Sequence, residues 1–132
     1  MAQEEQSPFG EVIYSYTRAQ AIEDGYLVDV TETASESGIK FPVAVTRTVW
    51  DEYIVPDKIS RKHGQSESGR LWDILSLFRF AAKRHQGSSE ILYFHVYFIM
   101  KEKQKRLIPL KAHIDPGDNS EPVITIMKPG ED

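Results

Sequence analysis

The sequence predicts a single α+β domain over residues 1–132, in which a C-terminal three-stranded antiparallel sheet packs against a long amphipathic helix and N-terminal strands can extend the sheet. Three observations carry this prediction. From about Ser68 to His85, Leu71, Ile74, Leu75, Phe78, Ala81 and Ala82 recur at i, i+3, i+4 spacing, the period of a helix with one buried face. After it, ILYFHVYFIM, RLIPLKAHI and PVITIMK are apolar or alternating runs of strand length with turn residues between them. The chain's 132 residues, 40% of them hydrophobic, suffice for one core without staples, whereas a (β/α)8 barrel takes about 250.

Residues 1–8 read as frayed, as do 129–132. Val12, Tyr14 and Tyr16 alternate with Ile13 and Ser15 as in a half-buried strand. Thr17 can cap a short helix over RAQAIEDG, with Gly25 as its left-handed stop. YLVDVT is a second extended piece, and ETASESG a second short helix closed by Gly38. Past Pro42, Thr46 can cap a helix that sets Val49, Trp50, Tyr53 and Ile54 on one stripe until Pro56. Residues 56–67 are polar and without periodicity, and read as a functional or mobile loop.

The long helix carries Arg79, Lys83 and Arg84 in its last turns, where cations favour the macrodipole. Trp72, Leu77 and Phe80 widen its apolar arc, so cover on more than one side is expected, and Trp50 and Trp72 read as core residues. In the last third, KEKQK and DPGDNSE supply the turns, the latter through Pro116 and Gly117. Pairing Met100 with Arg106 sets Phe94 against Ala112, Val96 against Leu110 and Phe98 against Ile108, apolar on apolar. The same register places Tyr93 opposite His113, His95 opposite Lys111 and Tyr97 opposite Pro109, with Thr125 beside Lys111. Tyr93, His95, Lys111 and His113 thereby become candidates for proton transfer or ligand binding on the second sheet face, against the plainer reading of a solvated face stabilised by aromatic pairs.

Charge is unevenly spread. Residues 1–40 hold two basic and eight acidic side chains, and 113–132 one basic and five acidic, while 57–84 hold seven basic and three acidic within a net −4. Lys58, Arg61, Lys62, Arg79, Lys83 and Arg84 are thus the candidate contacts for nucleic acid, although a sequence pI near 5.6 argues against a nucleic-acid footprint. The absence of cysteine excludes disulfides, thiolate nucleophiles and thiolate-bound metals. His113, Asp115 and Asp118 in HIDPGD are metal ligands by type, but turn residues explain the segment, and no metal or cofactor is expected. No G-x-S-x-G, P-loop, H-E-x-x-H or kinase motif occurs. MAQEEQSPFGEV has no signal-peptide pattern and ILYFHVYFIM is about half the ~20 residues of a membrane span, so a cytoplasmic protein away from membranes is expected.

The order of FGEVIYSYTRAQAIEDGYLVDVTETA, FPVAVTRTVWDEY, GRLWDIL and a tail ending PVITIMKPGED resembles a family of small bacterial proteins of unknown function, found mainly on plasmids, prophages and other mobile genetic elements. DGYLVDVTETA is its most specific stretch. The likeness implies an accessory protein and carries over no site residue. The expectation is a non-enzymatic protein that binds a host protein, for instance a defence component, through the acidic first third or residues 56–67. A small enzyme on the His/Tyr/Lys face and a nucleic-acid binder through residues 57–84 are the alternatives. A homodimer through PVITIMK as an exposed edge is compatible with each.

Overall fold

The computed structural model describes residues 16–85, 90–100 and 104–131. The expected strand through Val12 lies outside them, except that Tyr16 precedes the first helix without forming strand. The chain runs α1 (Arg18–Asp24), β1 (Leu27–Asp29), α2 (Thr31–Glu36), β2 (Val43–Thr46), α3 (Arg47–Val49) continuing into a π turn (Trp50–Ile54), α4 (Lys58–Lys62), α5 (Glu67–Arg84), β3 (Ile91–Ile99), β4 (Lys105–Pro116) and β5 (Pro122–Met127).

Local signals set the helix ends. The Thr17 hydroxyl accepts from the Gln20 amide while the Gln20 side chain accepts from the Thr17 amide, a reciprocal cap, and Gly25 ends α1 at φ 87°. The Thr46 hydroxyl accepts from the Val49 amide at 3.2 Å. The chain then widens, with the Val55 amide reaching back to the Trp50 carbonyl at 3.0 Å. Residues 56–67 are not the expected loop throughout: the Asp57 carboxylate accepts from the Ser60 amide and starts α4. Five residues are too few to show a helical period in sequence.

The sheet corrects the expected three-stranded antiparallel one. It is five-stranded and mixed, in the order β1-β2-β5-β4-β3, with β2 and β5 parallel and the other neighbours antiparallel. The four residues of β2 were hidden ahead of the Thr46 cap. Val43, Ala44 and Val45 are all fully buried, so the strand carries no alternation to read. PVITIMK is not an edge but lies between β2 and β4, which removes it as a dimer surface and explains why Val123–Met127 is buried on both faces.

The β3–β4 register also differs. Phe98, not Met100, pairs with Arg106, so Phe94 faces Leu110 and Val96 faces Ile108. A slip of two residues leaves every side chain on its own face, and apolar matching cannot distinguish the two registers. Leu92, Phe94, Val96 and Phe98 join Ile108, Leu110, Ala112, Ile124, Ile126, Val43 and Val45 in one core cluster with Leu71, Ile74, Leu75 and Phe78 of α5. The Phe78 and Phe94 rings meet edge to face at 5.9 Å.

Two arginines fasten the edges of this core. Arg18 of α1 reaches the second sheet face, donating to the Thr125 hydroxyl at 2.7 Å and the Ile124 carbonyl at 2.8 Å. Arg70, at 2% exposure, donates to the Gln65 side chain, the Tyr53 carbonyl and the Ile99 carbonyl, and lies 4.9 Å over the Phe98 ring. Burial pulls both guanidinium pKa values below their ordinary position. Near the C-terminus, the Glu131 carboxylate accepts from the Thr46 hydroxyl at 2.9 Å and the Lys128 amide at 2.8 Å.

Candidate functional site

Tyr93, His95, Lys111 and His113 do share one face of the sheet, because the two-residue slip preserves strand parity. Their neighbours are different from those expected. Tyr93 pairs with Lys111, His95 with Pro109, and His113 with Ile91 on one side and Thr125 on the other. Their burial separates them: Tyr93 and His95 are exposed, Lys111 is buried and His113 is intermediate. The His113 Nε2 atom is buried and makes no hydrogen bond. His113 lines a cavity of about 430 Å³ with Arg47, Asp115, Thr125 and Glu131. Several of these groups are already engaged, since Arg47 Nε donates to the Gly25 carbonyl at 2.9 Å and the Thr125 hydroxyl accepts from Arg18.

The HIDPGD segment has a structural use. Both Asp118 carboxylate oxygens accept from the first amides of α1, those of Arg18 and Ala19, at 3.0 and 3.1 Å. Among the described residues, no group of three histidines or carboxylates could hold a metal ion, and no helix is long and apolar enough to cross a membrane.

The basic middle does not form one patch. Lys58, Arg61 and Lys62 sit on α4 before the start of α5, whereas Arg79, Lys83 and Arg84 occupy its far end. From Glu67 to Arg79 the helix runs about 18 Å. Arg61 lies 3.7 Å from the Glu67 carboxylate, and Arg84 stacks 5.4 Å over the Phe80 ring.

The far end of α5 borders an apolar concavity. Gly38 closes α2 at φ 102°, and the connection to β2 then turns Ile39 into the core and leaves Phe41 at 47% exposure. Together with Phe78, Ala82, Ile114 and Ile124 they line a groove of about 480 Å³. Lys40, Arg79 and Lys83 rim it, and among the described residues no carboxylate lines it. Gly38 is favoured by its left-handed φ, and the Arg79 guanidinium passes close over it, 3.0 Å from where a Cβ would stand. Trp72 is not the expected core residue. It is 43% exposed on the same helical stripe as Arg79 and Lys83, at i, i+7 and i+11. Partial desolvation pushes the neighbouring Asp73 carboxyl above its ordinary value.

Sequence reading placed Arg79 and Lys83 among the candidate nucleic-acid contacts and did not bring the connector residues beside them. Ile39, Lys40 and Phe41 lie between Gly38 and Pro42, where no periodicity exists to place them. The usable signal was composition, two large apolar residues around a lysine in a connector.

A family of unknown function (DUF6573) matches residues 8–132, nearly the whole chain. No curated protein and no solved structure matches it.

Proposed function

We propose that this chain, which belongs to the DUF6573 family of unknown function, is a non-enzymatic binding protein that docks an acidic, apolar segment of a host protein in the groove between α5 and the α2–β2 connection. The observation that carries the reading is the pairing of an apolar floor, Ile39, Phe41, Phe78, Ala82 and Ile114, with a rim of three cations and, among the described residues, no anion. Apolar side chains supply affinity there by leaving water, while Lys40, Arg79 and Lys83 select against basic or neutral segments. The protein's net charge of −4 makes a local cationic rim a departure from the rest of the surface. The resemblance carried by DGYLVDVTETA supports an accessory role for the product of a mobile genetic element, with a host defence component as one such partner.

An anionic apolar dye such as anilinonaphthalene sulfonate reports directly on the groove. The wild-type protein should enhance its fluorescence saturably, and Arg79→Glu with Lys83→Glu should weaken that binding at least about tenfold, equivalent to roughly 1.4 kcal/mol. Unchanged dye binding in a folded double variant would refute the groove as the docking site.

A second reading is favoured by one observation, the unpartnered buried Nε2 of His113, a residue that lines a second cavity. In that reading the sheet face binds a small polar ligand, with His113 and Asp115 making the polar contacts. His113→Ala should then abolish the thermal shift produced by a ligand found in a metabolite screen, whereas His95→Ala, on an exposed position, should leave it unchanged. Loss of the shift in both variants or in neither would exclude this division of roles.

A further inference from the structure

We infer that the protein forms a two-fold dimer by antiparallel pairing of β3 with β3 of a second copy, centred on His95. This goes beyond the docking role and does not depend on it. In an antiparallel ladder, successive residues direct their amides alternately to the two sides. The Met100 amide donates to the Gln104 carbonyl and the Ile114 amide to the Glu90 carbonyl, so even-numbered residues face β4. Tyr93, His95 and Tyr97 therefore direct N–H and C=O outward, because β3 is the last strand of the sheet among the described residues. The outward carbonyl of Ile99 confirms the alternation, since Arg70 takes it.

Natural edge strands are usually blunted by charge, proline or shortness. β3 has none of these: ILYFHVYFI is nine residues long and contains neither a charged residue nor proline. Its sequence is also nearly palindromic about His95. Antiparallel pairing centred there sets Tyr93 against Tyr97 of the second copy, Phe94 against Val96 and Leu92 against Phe98. Tyrosines meet on the outer face and core residues on the inner face. The outward amides of Tyr93, His95 and Tyr97 then make about six hydrogen bonds across the axis. Tyr93 and Tyr97, now 62% and 56% exposed, become cross-strand neighbours.

The helix above extends the surface. Arg70 reaches the outer edge at Ile99, and Leu77 lies seven residues on, along the same flank of α5. His95 is about 13 Å back along the strand from Ile99, equal to roughly nine helical residues, which places the Leu77 to Ala81 flank beside the axis. Leu77 and Phe80 are both exposed large apolar side chains there.

Light scattering on the full chain should give twice the 15.1 kDa chain mass. His95→Lys, a change at an exposed position, should return the mass to that of one chain with unchanged circular dichroism. Because the chain has no cysteine, His95→Cys provides an unambiguous second test. Its Cα atoms would lie about 5.5 Å apart, within disulfide range, so mild oxidation should cross-link it. Leu107→Cys, exposed on the same face one strand inward, should not cross-link. A single-chain mass at every concentration, a dimer insensitive to His95→Lys, or cross-linking of Leu107→Cys but not His95→Cys would each overturn the pairing.

Discussion

Arg70→Ala should destabilise the fold by about 3–5 kcal/mol, a large share of the roughly 5–15 kcal/mol that holds a domain of this size. Arg70 is 2% exposed, and its charge is held by fixed dipoles together with the nearby Asp57 carboxylate. Nε donates to Gln65 at 3.1 Å, one terminal nitrogen to the Tyr53 carbonyl at 2.8 Å and the other to the Ile99 carbonyl, above the face of Phe98. These bonds tie the π turn, the start of α5 and the end of β3 together. Alanine removes the charge but leaves two backbone carbonyls without their donor and opens space over Phe98, and each orphaned acceptor costs about 1–3 kcal/mol. Arg70→Met, which keeps most of the volume, should recover the packing part only. Urea unfolding of the three proteins checks this; a loss under about 1 kcal/mol for alanine would contradict the role given to Arg70.

The second large effect concerns strand position. Thr125→Pro should prevent folding, while His95→Pro should leave the monomer folded. β5 is paired on both sides. The Ile124 amide donates to the Pro42 carbonyl toward β2 at 2.9 Å, so the next amide, that of Thr125, turns to β4, where Thr125 pairs with His113. A proline there deletes an interior ladder bond, which sheets tolerate essentially only at edge strands or bulges. The His95 amide points away from β4, and proline at such an edge position removes no internal bond. Circular dichroism and melting of the two variants give the answer. A folded Thr125→Pro protein would contradict the interior placement of β5.

The long helix and the antiparallel strand runs were legible because their periods repeat over many residues. The caps at Thr17 and Thr46 and the stops at Gly25 and Gly38 were legible because each is a single-residue signal with a fixed backbone consequence. β2 was not, since four buried residues have no exposed partner to alternate with. Its parallel pairing to β5 is a contact between segments some eighty residues apart, which no local pattern encodes. Arg70 was read as one cation among the seven of residues 57–84, although it is the one removed from water, because burial of a charge depends on carbonyls brought from Tyr53 and Ile99. The shared face of Tyr93, His95, Lys111 and His113 followed from parity alone, and their separation by burial did not. The groove combines an expected pair, Arg79 and Lys83, with connector residues whose placement only the turn at Gly38 determines.

The docking account is tested most directly by paired affinity capture. Tagged wild-type protein and the Arg79→Glu, Lys83→Glu variant are passed over the same nuclease-treated bacterial lysate and the bound proteins quantified. The account predicts a stoichiometric, nuclease-resistant protein partner on the wild type that falls at least about tenfold on the variant, with both baits equally stable. A partner retained equally by both, or recovery of nucleic acid in place of protein when nuclease is omitted, would contradict it.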